Sequence, residues 1–332
     1  VTHGCLAGRQ QETVQKVYRD RILRGTGHDG FYSTKKLGAI GADLGAVAAF
    51  FDEPWTRLSP HLSAPDQAWL LNEAAFRLRA LGRLTEAVEP MRVVLNQDVE
   101  AKRWKEAAIS ASNLSELEVT LGRLGEAVTD GRRAIEFADR SGDANWPCLA
   151  RTTAADALHQ AGERAEAGAL FAEAERMQMK RQPQFPLLYS LQGFRYADLL
   201  LAPAERAAWM GRAGCPQPAA SGPMTSRSNP DERSPSARDE RRLEDQAPYL
   251  AIAEAERRAR QTLEWSTPRE LLLDIALDHL TLARAALYRA LLTRDSSFIL
   301  HPSSFSDALT KLRAANRTDP LPKALLAAAF YH

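Results

Sequence analysis

Three segments of the chain can be laid under one another without a gap: LGRLTEAV from Leu81, LGRLGEAV from Leu121 and AGERAEAG from Ala161. Their glycines, Gly82, Gly122 and Gly162, stand forty residues apart. A chain that repeats itself at such a period folds as stacked equivalent units, because each unit has an apolar face that only a neighbour can cover. Each glycine follows one apolar, helix-favouring stretch and precedes another, where a helix end calls for a left-handed residue free of a Cβ. The three glycines are therefore expected to turn three helical hairpins.

The flanking residues extend the pattern. Small or slim pairs precede the turns, Ala74 and Ala75, Leu114 and Ser115, Ala154 and Ala155, and would let two helices approach closely. After the turns come Ala87, Ala127 and Ala167, then Met91, Gly131 and Phe171 four residues on, then Val94, Ala134 and Ala174 three further. Steps of four and three draw one apolar stripe along a helix. The stripe is read as packing between helices, not as a ligand box.

The small pair, the glycine and the alanine-large-alanine run together resemble the tetratricopeptide repeat. In LLYSLQGFRYADLLL, Tyr189, Gly193 and Tyr196 match the family's aromatic, glycine and tyrosine positions, and Ala308, Leu312, Ala315 and Pro320 match its second helix and closing proline. The resemblance implies an all-α fold, a right-handed superhelical solenoid of antiparallel helix hairpins. The family's usual period is about 34 residues, so each hairpin here is longer by roughly one and a half helical turns. Long-period arrays of this sort are similar to those in the regulatory arms of bacterial signal-transduction NTPases. Glu118 and Arg151 depart from the pattern, standing where the family places large apolar side chains.

Residues 1–63 read as an irregular or incomplete repeat, with one helix over about 11–23 and an apolar helix over about 34–51, before a loop marked by Pro54, Pro60 and Pro65. Regular repeats fill 64–211. Residues 212–247 are rich in Pro, Ser and Arg, lack apolar periodicity and are expected to be a disordered insertion. Repeats resume over 248–332, with an apolar helix from about Arg269 to Leu292 and a second insert in which Ser296-Ser297-Phe298 recurs as Ser303-Ser304-Phe305. The chain opens on Val1 and closes on the apolar PKALLAAAFYH, so it is expected to be part of a longer polypeptide.

Composition narrows the function classes. Lys and Arg number 43 against 42 Asp and Glu, which offers no basic footprint for nucleic acid or an anionic membrane. Cys5, Cys148 and Cys215 form no CxxC pair, so neither a disulfide framework nor a zinc site is suggested. No apolar run approaches the roughly 20 residues of a membrane span, and the first residues hold no apolar signal core. A cytoplasmic setting is expected.

Motifs that could carry chemistry are weak. Gly25 to Gly30, GTGHDG, spells a dinucleotide loop but follows a helical pattern instead of a strand, and is read as a turn. There is no GxxxxGK[ST] loop and no HExxH, and Ser190 sits in YSLQG, not in a GxSxG elbow. Asp274 and Asp278 share a helix face with His279 nearby, a pattern read as a solvated edge in preference to a metal site. No cofactor is expected.

What remains is a surface. In the resembled family the first helices of successive hairpins line a concave groove that holds a peptide. Carried onto this chain, the groove positions are Asn72, Phe76 and Arg79; Ser112, Asn113 and Glu116; Thr152, Asp156 and His159; and Ser190 and Phe194. Amide side chains can serve both the N–H and C=O of an extended peptide. The expected function is a protein or peptide scaffold without an active site, or else the sensing arm of a larger NTPase. An enzyme would need an acid, base or nucleophile set that does not assemble. RNA reading by helical repeats is disfavoured by Glu116 and Asp156 in the groove.

Overall fold

A computed structural model describes residues 13–24, 32–35, 37–213, 235–293 and 303–314. The described chain is all-α apart from one short β-hairpin, with consecutive helices packed on their neighbours. It divides into two compact units, residues 1–170 and 171–332.

The first unit opens with α1 (Thr13–Leu23), which is wound as a π-helix, α2 (Tyr32–Lys35) and α3 (Ile40–Ala48), then β1 (Phe51–Glu53) paired with β2 (Arg57–Leu58). The apolar helix expected over about 34–51 is thus broken. Gly38 takes a left-handed φ of 61° ahead of α3, and Trp55 does so at 65° in the hairpin, packing edge-on to Phe51 at 5.4 Å. Trp55 Nε1–H donates to Glu86 (3.3 Å), which docks the hairpin on the array behind it.

The array follows as α4 (Ala64–Ala80), α5 (Leu84–Glu100), α6 (Trp104–Thr120), α7 (Leu124–Ser141), α8 (Trp146–Gln160) and α9 (Arg164–Arg181), whose later turns belong to the second unit. Connections of three or four residues make each helix run back along its predecessor. The Gly82, Gly122 and Gly162 turns are observed as expected, each with a positive φ. The N–H of each glycine and of the residue after it bond back to carbonyls on the preceding helix, as in Gly82 to Arg79 (3.0 Å) and Arg83 to Leu78 (2.8 Å). These two bonds satisfy carbonyls that a helix end would otherwise leave open.

Two further left-handed residues complete the series. Lys102 and Gly142 have φ of 54° and 67°, so left-handed residues fall at 82, 102, 122, 142 and 162, one every twenty residues. The forty-residue repeat is built from two helix-turn halves of equal length.

The predicted packing stripe is buried throughout: Ala87, Ala127 and Ala167, Met91 and Phe171, Val94, Ala134 and Ala174. Gly131 explains why its place in the stripe is vacant. A Cβ there would lie 3.0 Å from Ala154 Cα and 3.2 Å from Ser115 Oγ, so α7 can approach α6 and α8 only without a side chain. Ser115 Oγ–H also donates to the Ala127 carbonyl (2.7 Å) across the same contact.

Both departures from the apolar pattern are compensated by charge. Glu118, fully buried, accepts from Arg92 of α5 (2.9 Å), and Arg151 pairs with Asp139 of α7 through two bonds of 2.8 and 3.0 Å. A buried charge is tolerable only with such a partner.

The second unit holds the end of α9, then α10 (Ser190–Ala213), α11 (Pro235–Ser266), a 3-10 turn (Thr267–Arg269), α12 (Leu272–Thr293) and α13 (Ser303–Ala314). α10 and α11 pack together although residues 214–234, which fall outside the described residues, separate them. Helix resumes at Pro235, earlier than the expected restart near Pro248. Tyr196 stacks on Phe171 (4.8 Å) beneath the Arg258 guanidinium, and Gly193 is required because a Cβ would meet the Leu188 carbonyl oxygen at 2.5 Å. Gly25 to Gly30, the start of the Ser296 to Phe305 insert and the PKALLAAAFYH end lie outside the described residues.

Candidate functional site

Within the first unit, α4, α6 and α8 are the first helices of their hairpins. Asn72, Phe76 and Asn113 are exposed, and Arg79, Glu116, Asp156 and His159 are half-buried. Phe76, Glu116 and Asp156 are successive equivalents at the forty-residue spacing. Arg79 and Glu116 come within 3.9 Å, joining α4 to α6 along this face. Phe76 is half exposed although aromatic, with the buried Arg77 guanidinium 6.0 Å from its ring. Asp156 accepts from Gln160 on its own helix (3.4 Å). The face mixes both signs of charge, two primary amides and one aromatic ring.

Three expected groove residues do not reach the surface. Ser112 and Thr152, the equivalents of Asn72 one and two units on, are buried at 5% and 1% exposure. Thr152 spends its hydroxyl on the Leu149 carbonyl (2.8 Å). Phe194 is a core residue of the second unit. Small hydroxyl residues fit between close helices as readily as they face water, so spacing alone could not separate the two placements. Ser190, the remaining one, lies in the second unit and lines a cavity there.

That cavity lies between the 182–190 segment, the end of α11 and the start of α12. Phe185, Tyr189 and Trp265 form aromatic walls, with Phe185 edge-on to Trp265 at 5.3 Å. The Arg269 guanidinium lies 4.3 Å over the Phe185 ring. Asp274 and Asp278, one turn apart on α12, both face in. Thr262 Oγ1–H donates to Asp278 Oδ1 (2.7 Å), whereas Asp278 Oδ2 is buried and has no hydrogen-bond partner.

Burial pushes the Asp278 carboxyl up to about 7; the Thr262 hydrogen bond opposes this rise and the Asp274 charge adds to it. Ser190, which lines the cavity, and Glu270, between the lining residues Arg269 and Leu271, are held in left-handed conformations at φ 55° and 54°, a strain that non-glycine residues carry only where the surroundings impose it. His279 is not part of this wall. Its imidazole pKa is lowered, by burial first and then by Lys311, with Asp307 opposing.

The sequence placed Asp274 and Asp278 together but as a wetted edge. They share a cavity with Phe185 and Tyr189, residues of a loop that no periodicity announces. Among the described residues no three His, Cys, Asp or Glu converge as a metal site would require, and no helix is long and apolar enough to cross a membrane.

No protein-family model matches the chain, and no curated protein matches it either.

Proposed function

We propose that this chain is a non-catalytic interaction scaffold of the tetratricopeptide kind, working in the cytoplasm and binding a protein or peptide along the first-helix face of its first unit. The observation that carries the reading is the column formed by Asn72, Phe76, Asn113, Glu116 and Asp156. Its members are exposed or half-buried, set between the buried positions that pack those helices together. Exposed amides at intervals along a helix stack can hold an extended backbone from both sides, and Phe76 offers one apolar anchor. Mixed charge along the face predicts a partner that is neither strongly acidic nor strongly basic, and no nucleic acid.

The test is a peptide selected on the purified protein from a random displayed library. Replacing Asn72, Asn113 and Asp156 together with Ala should leave helicity unchanged and weaken that peptide by at least about tenfold, roughly 1.4 kcal/mol. Unchanged affinity would remove this face from the account.

A further inference from the structure

The cavity of the second unit has a composition that its own residues do not complete. Phe185, Tyr189 and Trp265 line it together with two carboxylates, and the charge that most affects Asp278 is that of the other carboxylate, Asp274. Asp278 Oδ2 is buried without a donor, an arrangement that costs free energy unless a cation or donor arrives. The nearby cation, Arg269, is stacked on Phe185, and no ion pair links it to either carboxylate within 4.0 Å.

We propose that this cavity is a binding site for an organic ammonium group, with Asp278 and Asp274 taking the charge and Phe185, Tyr189 and Trp265 enclosing the alkyl chain. Aromatic faces attract a desolvated cation as well as an apolar stem, and the two carboxylates fix its orientation. The mixed aromatic and carboxylate lining suits a slim primary alkylammonium such as the end of a lysine side chain. An inorganic cation fits less well, because hard cations take six or more oxygen ligands and much of this wall is aromatic carbon. The ammonium group could belong to a free amine or to a lysine of a protein. The site does not depend on the first-unit face and can fail or stand separately from it.

The experiment is calorimetric titration of the whole chain at pH 8 with n-butylammonium, with n-butanol as the neutral isostere and with Nα-acetyl-lysine N-methylamide. Saturable binding of the butylammonium and none of the alcohol is expected. Asp278→Asn, which keeps the acceptor for Thr262, and Asp274→Asn should each weaken it by about tenfold, and Arg269→Ala should tighten it.

At pH 5.5 binding should weaken as Asp278 takes up its proton, Asp274, Arg269 and Tyr189 being the other titratable groups that face it. Carbon NMR of the Asp278 carboxyl should show its titration moved to lower pH by the amine. If the lysine amide binds at least as well as butylammonium, the natural ligand is a protein side chain; if only butylammonium binds, it is a small amine. Absence of saturable binding at pH 8, equal binding of the alcohol, or unchanged affinity in both aspartate variants would overturn the proposal.

Discussion

Arg132 on α7 holds both carboxylate oxygens of Glu166 at the start of α9, at 3.0 and 2.7 Å. Forty residues earlier, Arg92 on α5 reaches one carboxylate oxygen of Glu126 at the start of α7. The same ion pair therefore links successive second helices, on elements other than those that carry the Asn72 and Asn113 face. The two copies differ in their surroundings: Arg92 also serves the buried Glu118, whereas Arg132 and Glu166 are both exposed.

That difference predicts unequal costs. Arg132→Ala should lower stability by less than about 1 kcal/mol, as exposed pairs do. Arg92→Ala should cost about 1 to 3 kcal/mol, because it leaves a buried carboxylate oxygen without its donor. Chemical denaturation of the two variants measures the gap, and equal values would mean that Glu118 finds another partner.

Two glycines of α7 should respond with opposite sign. Gly131→Ala forces a methyl against Ala154 and Ser115 and should lower the melting temperature, overpacking costing about 1 to 3 kcal/mol. Gly125→Ala meets nothing within 4 Å and should stabilise by up to about 1 kcal/mol through helix propensity. Thermal unfolding of both reads the register of the array directly.

Arg77 ties the N-terminal segment to the repeats. Its buried guanidinium pairs with Glu73 on its own helix and with Asp43 of α3 (3.4 Å), and Asp43 also accepts from Ser33 (2.6 Å). Arg77→Ala strands two buried carboxylates and should cost about 3 to 5 kcal/mol. Hydrogen exchange should show protection lost first in α3. A variant as stable as the parent would detach residues 13–58 from the first unit.

Asp278 gives the chain a pH signature. Its carboxyl binds a proton near pH 7 when folded and near its ordinary 3.8 when unfolded. The folded chain therefore holds the extra proton between those values, so this contribution is full below about pH 4 and is lost as pH rises toward 7. Asp278→Asn should remove that slope and be more stable than the parent at pH 8. Parallel stability curves would show that burial does not raise this group.

Much of the architecture was legible because three glycines mark turns where only a left-handed residue closes the helix. Half of the period was hidden. Lys102 does at 102 what glycine does at 82 and 122, and a lysine in a left-handed conformation is indistinguishable from any surface lysine in sequence. Glu118 and Arg151 looked like failures of the apolar pattern, since their partners Arg92 and Asp139 lie 26 and 12 residues away. On the candidate face, Asn72 and Asn113 were legible as exposed positions. Ser112, Thr152 and Phe194 were not, because burial along a helix face depends on how closely its neighbours approach. The cavity left only Asp274 and Asp278 as a trace, its aromatic walls coming from a loop without periodic signal.

The first-helix face is tested most directly by placing a photo-crosslinking amino acid at Asn113 and, separately, at Arg132 on the second-helix side, and irradiating both proteins in extract of the source cells. A discrete crosslinked species from position 113, absent from 132 and lost when Asn72 and Asp156 are replaced by Ala, is the expected result. No product at 113, or the same products from both faces, would contradict a partner-binding groove.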